Sequence, residues 1–103
     1  MPGGNNTLNQ VGYEQPTVGN DPVSLTRPTN ERPRHALIGV SGGAIRWLAT
    51  PTDTPSAARG NYVGAGGIIN WTDPNLDFAG MIDNVKFVKA GAVDATLEVS
   101  YFA

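Results

Sequence analysis

Apolar and polar positions follow two regimes that change near residue 35. After it the period is two. HALIGV (35–40) is rich in apolar, strand-tolerant residues, and Ser41-Gly42-Gly43 predicts a tight turn. AIRWLA (44–49) alternates, with Ile45 and Trp47 on one face and Arg46 and Leu48 on the other, so 35–49 is expected to be a hairpin. GIINWT (67–72) is a further strand. DNVKFVK (83–89) sets Val85 and Phe87 opposite Lys86 and Val88, and Ala90-Gly91 breaks it. ATLEVSYF (95–102) sets Leu97, Val99 and Tyr101 opposite Glu98 and Ser100, and these last two strands are expected to form a second hairpin. The expected inward set is Ala36, Ile38, Val40, Ile45, Trp47, Ile69, Trp71, Val85, Phe87, Leu97, Val99 and Tyr101. At 67–72, Ile68 and Ile69 compete for the inward place, because a one-residue slip exchanges the two faces. LDFAGMID (76–83) is the one place expected to hold a short helix.

Before residue 35 no period persists. Five of the eight prolines lie there, and apolar residues are sparse: Leu8, Val11, Tyr13, Val18, Val23 and Leu25. VSLT (23–26) is the only strand-like piece. The segment 1–34 is therefore expected as an extended N-terminal arm, disordered or ordered against a neighbour, beside a β-domain over 35–103. The fold class follows: all-β, a small β-sandwich or jelly-roll-like barrel of about five to seven strands. Thirteen glycines and few helix formers point the same way.

Size and charge narrow the function. A chain of 103 residues buries a modest core and gains from partners. Seven basic residues against nine acidic ones give a net charge of −2, and the basic ones are scattered apart from Arg27, Arg32 and Arg34. A nucleic-acid partner is not expected of such a chain. No apolar run reaches the roughly 20 residues of a membrane helix, and MPGGNNTLNQ has neither the basic start nor the apolar stretch of a signal peptide. The sequons Asn5-Asn6-Thr7 and Asn70-Trp71-Thr72 accordingly carry little weight. Cysteine is absent.

Candidate chemistry is thin. His35 is the only histidine, and no serine sits in a nucleophile-elbow pattern. Asp73, Asn75 and Asp77 have the opening spacing of a calcium loop, but Phe78 stands where that loop needs glycine and Asn84 where it needs glutamate. Gly64-Ala65-Gly66-Gly67 leads into a strand rather than the helix a dinucleotide loop requires. No enzymatic activity, cofactor or metal is expected. Trp71 and Tyr62 could offer flat rings to a sugar, which would suit a carbohydrate-binding or phage fibre or tail adhesion module. Packing is the simpler role for Trp71.

PRHALIGVSGGAIRWLATPTDTPSAARGNYVGAGGIINW, with IDNVKFVKAGAVDATLEVSYF after it, resembles small structural proteins of tailed bacteriophages and prophages. The matching positions are Ala36 to Ile38, Ile45 to Trp47, Pro55, Gly60, Gly66, Phe87, Leu97, Val99 and Tyr101. ATPTDTP stands where those chains carry an aspartate-glycine lead. The resemblance implies a capsid decoration (cement) protein on the virion exterior, made in the host cytoplasm. Its implied partner is the major capsid protein, and a trimer is the favoured assembly. The residues expected to touch partners are Val23, Leu25, Arg27, Arg32, Arg34, Arg46, Arg59, Tyr62 and Trp71. Arg46 is expected as an outward cation, solvated or paired with a carboxylate such as Glu98.

Overall fold

The computed structural model describes residues 9–29, 32–72 and 78–103. The strands are β1 (Gln10–Glu14), β2 (Thr17–Val18), β3 (Val23–Ser24), β4 (His35–Ser41), β5 (Ile45–Leu48), β6 (Asn61–Val63), β7 (Ile68–Thr72), β8 (Lys86–Lys89) and β9 (Ala95–Phe102). One short helix, α1 (Phe78–Asn84), falls in the stretch where a helix was expected. The strands form two antiparallel sheets. One has the order β1-β9-β4-β7, with β2 also pairing β9; the other has the order β3-β8-β5-β6. The small β-sandwich read from the pattern is the observed architecture.

Alternation places the core as expected along the long strands. In β9, Ala95, Leu97, Val99 and Tyr101 are buried, and in β4 so are Ala36, Ile38 and Val40. These two strands share a seven-residue register from His35↔Phe102 to Ser41↔Thr96. The second sheet answers with Ile45 and Phe87, and Val85 joins them just before β8. Ile69 is inward while Ile68 is 67% exposed, which settles the register of β7. Trp47 and Trp71 take the expected side but are less buried than the rest of the inward set. Both face inward and pack against the core cluster, but they are only half-buried and meet edge-on across the two sheets at 5.3 Å.

Neither expected hairpin forms. β4 and β5 belong to different sheets, and so do β8 and β9. Each connection crosses from one sheet to the other at the same end of the molecule. The two crossings lie side by side: Ala90 N–H donates to Ala44 O at 2.9 Å. A Cβ on Gly43 would stand 2.6 Å from Val93 O, closer than any side chain tolerates, so glycine is what permits the crossings to pack. Gly42, at φ 83°, turns the chain beside them.

The segment expected as an arm is extended over its described residues, and it is paired along the sandwich. β1 and β2 hydrogen-bond to β9, and β3 to β8. Val18 and Leu25 enter the same core cluster as the later strands. The sequence signal was weak because each of these strands is short and β1 carries a register shift between Gln10 and Gly12. Glu14 ties the segment down, its Oε2 accepting from Tyr101 Oη at 2.5 Å and from Thr26 N–H at 2.9 Å.

Candidate functional site

The two sheets turn very different outer faces to the surroundings. On the five-stranded sheet the ladder puts Tyr13, Ser100, Leu37 and Asn70 in one row. Glu98, Gly39 and Ile68 form the next, and Phe102, His35 and Thr72 another. Tyr13 is 54% exposed and Leu37 38%, beside the exposed Ile68. Glu98 is the one carboxylate in these rows. The polar groups are tied to one another along the surface: Tyr13 Oη donates to Glu98 Oε1 at 3.1 Å, and Gln10 Nε2 to Ser100 Oγ at 3.2 Å. His35 Nε2 lies 2.6 Å from Asn70 Oδ1, with Phe102 beside its ring at 5.3 Å. Desolvation at the sheet surface, then the hydrogen bond and charge of Glu98, push the Tyr13 phenol above its usual range. Nothing stands within 4 Å of where a Cβ on Gly39 would be, so the middle of this face is open.

The four-stranded sheet has its outer face partly covered: Val88 is buried while Tyr62 stays exposed. Its ladder sets Tyr62, Arg46 and Val88 in one outward row, and Leu48, Lys86 and Ser24 in the next. Val88 is only 3% exposed although it lies outside the core cluster. The connection 49–60 returns beside Arg46, whose guanidinium holds it: Nε donates to Ala57 O and Nη1 to Gly60 O, each at 3.0 Å. The same guanidinium lies 5.2 Å from the Tyr62 ring centre. Within the loop, Ser56 and Arg59 exchange backbone hydrogen bonds, Thr50 and Asp53 cap each other, and Arg59 pairs with Asp53 at 3.3 Å. Pro55 is buried, and Gly60, at φ 127°, fits against Trp47 O.

A third feature is a groove of about 590 Å³ between β1 and the strap 26–29, floored by Tyr101. Pro28 presses on Gly12, where a Cβ would stand 2.7 Å from its Cγ. Burial, then the hydrogen bond and charge of Glu14, push the Tyr101 phenol strongly upward, so it stays protonated.

The residues expected to meet partners are dispersed. Leu25 is a correction: it is 9% exposed and belongs to the core, because the segment carrying it folds against β8. Val23 is half-buried opposite Phe87. Arg27 pairs with Asp83 at 3.5 Å. Arg32 and Arg34 are exposed on the approach to β4. Arg46, Arg59 and Tyr62 come together around loop 50–60. Trp71 is half-buried against Trp47. The expected Arg46–Glu98 pairing fails because the two residues lie on different sheets. The residues missed are Tyr13, Leu37 and Ile68. Their signal was the alternation itself, which leaves Leu37 and Ile68 apolar on the outward side.

No group of three or more His, Asp or Glu side chains able to hold a metal occurs among the described residues. The calcium-loop residues Asp73, Asn75 and Asp77 lie outside them. Among the described residues no helix is long and apolar enough to cross a membrane. Comparison with models of protein families, with curated proteins and with solved structures gives no match.

Proposed function

We propose that this protein is a bacteriophage capsid decoration protein, assembling as a trimer, that binds and stabilises the major capsid protein lattice on the virion exterior. The observation that carries the reading is the outer face of the five-stranded sheet. Its ladder rows carry one carboxylate, Glu98, and it exposes Tyr13, Leu37 and Ile68 around the open Gly39. A face with few charges and its polar groups already paired loses little on desolvation, which is the composition of an interface core. The resemblance to phage structural proteins over 35–103 supplies the identity of the lattice. The alternative, a fibre, tail or glycan-binding adhesion module, rested on Trp71 and Tyr62; Trp71 is half-buried against Trp47, so of that pair Tyr62 alone offers an open ring.

The test uses shells assembled from the major capsid protein alone. Wild-type protein should sediment with them. The double variant Leu37→Lys, Ile68→Lys should not, while keeping its β-sheet circular dichroism. Equal binding by the double variant would overturn the placement of the contact. Mass measurement in solution and on shells checks the trimer.

A further inference from the structure

We infer that loop 50–60, with Tyr62, is a second contact surface, preformed for an acidic patch on a neighbouring protein, and that Arg46 is its positioning residue. The inference rests on the capsid reading for the identity of that neighbour. The loop has no helix or sheet ladder to hold it, yet it is heavily fastened. Arg46 bonds two of its carbonyls, Ser56 N–H donates to Arg59 O at 2.9 Å, and Asp53 N–H donates to Thr50 Oγ1 at 3.0 Å. Asn61 Nδ2 adds a bond to Trp47 O at 3.2 Å. A loop fixed before binding loses little entropy when it meets a partner.

What the loop exposes suits a protein contact. Tyr62 is 60% exposed, and the Arg59 side chain is 67% exposed while pairing only one edge with Asp53. Tyrosine and arginine are the residues most often found carrying interface energy. Between them Ala57 and Ala58 give a small, exposed tip. Charge indicates the chemistry of the partner. From 46 to 62 the chain holds Arg46 and Arg59 against Asp53 alone, within a chain of net charge −2. A locally positive surface on an acidic protein selects a carboxylate-bearing partner, and does so less strongly as salt rises. The loop lies on the sheet opposite the open face, so the two surfaces together let one molecule touch two neighbours.

Two measurements test this. Hydrogen exchange on the free protein should show the amides of Asp53, Ser56 and Arg59 protected, and Arg46→Gln should release them while amides in β4 and β9 stay protected. Free-chain exchange in the wild type, or unchanged protection in Arg46→Gln, would overturn the inference. On capsid shells, Arg59→Ala with Tyr62→Ala should bind at least about tenfold more weakly, the loss expected of a modest hot spot. Arg46→Gln should lose a similar factor, and Arg46→Lys should not restore it, since a lysine cannot make both carbonyl bonds in one plane. Normal binding by the Arg59, Tyr62 variant would overturn the loop contact and leave the capsid reading standing. Failure of the wild type to bind shells would overturn both.

Discussion

Val88 and Leu37 are both apolar, both mid-strand, and both point away from the core between the sheets. Val88 is 3% exposed and Leu37 38%. Val88 lies opposite Arg46, the residue that fastens the returning connection. The β5–β6 loop comes back beside Arg46, whereas the described part of the β1–β9–β4–β7 sheet keeps its exposed row. A sandwich has two outer faces, and on the first of them the chain's own connection 49–60 is fastened at Arg46 while Tyr62 stays exposed. The other, exposing Leu37, Ile68 and Tyr13, is the face on which the proposed lattice contact falls.

The largest test of this contrast is a charge on each face. Val88→Asp buries a carboxylate whose cross-strand neighbour, Arg46, is already committed to Ala57 O and Gly60 O, and should cost about 3–5 kcal/mol. Leu37→Asp should cost no more than about 1 kcal/mol, since the side chain remains in water. Urea denaturation of the two variants reads the difference, and equal losses would abolish the distinction between covered and open faces.

A glycine on the open face and one at the crossings should respond with opposite signs. Gly43→Ala drives a Cβ into Val93 O and should destabilise by about 1–3 kcal/mol. Gly39→Ala meets nothing and adds a side chain to a strand, so a gain of about 0.4–1 kcal/mol is expected. Thermal melts of both variants check the pair. A destabilised Gly39→Ala would mean that the open face is already in use, for instance against another copy.

The two phenols sharpen the contrast further. Tyr101 is buried and its pKa is raised above the ordinary 10.0 by burial and then by Glu14. Below that ordinary value it is neutral in both folded and unfolded chains, and its contribution is complete. Above it the unfolded phenol ionises while the buried one does not, so stability falls by on the order of 1 kcal/mol per pH unit. Tyr101→Phe should flatten the fall measured between pH 9 and 11. The smallest effect belongs to Tyr13, also raised, but on the open surface. Tyr13→Phe should leave the alkaline slope nearly as it is in the wild type; a large change would place Tyr13 under cover.

Alternation along the chain was enough to determine which side of each long strand is buried. Leu97, Val99 and Tyr101 in β9, and Ala36, Ile38 and Val40 in β4, could be read directly, because a strand buries every second residue wherever it pairs. The same pattern is silent on which strand lies alongside. A hairpin and a crossing between sheets bury identical positions, so Ser41–Gly43 and Ala90–Gly91 read as hairpin turns while the chain changes sheet at both. That choice was made by packing, with the two crossings resting on one another through Gly43 and Val93. Packing also drew Val18 and Leu25 from a patternless, proline-rich segment into the core, by pairing short strands with β9 and β8. Arg46 shows the same division. Its outward side was legible from Ile45 and Trp47, but its partners, Ala57 O and Gly60 O, are backbone groups 11 and 14 residues onward that only the fold brings within reach.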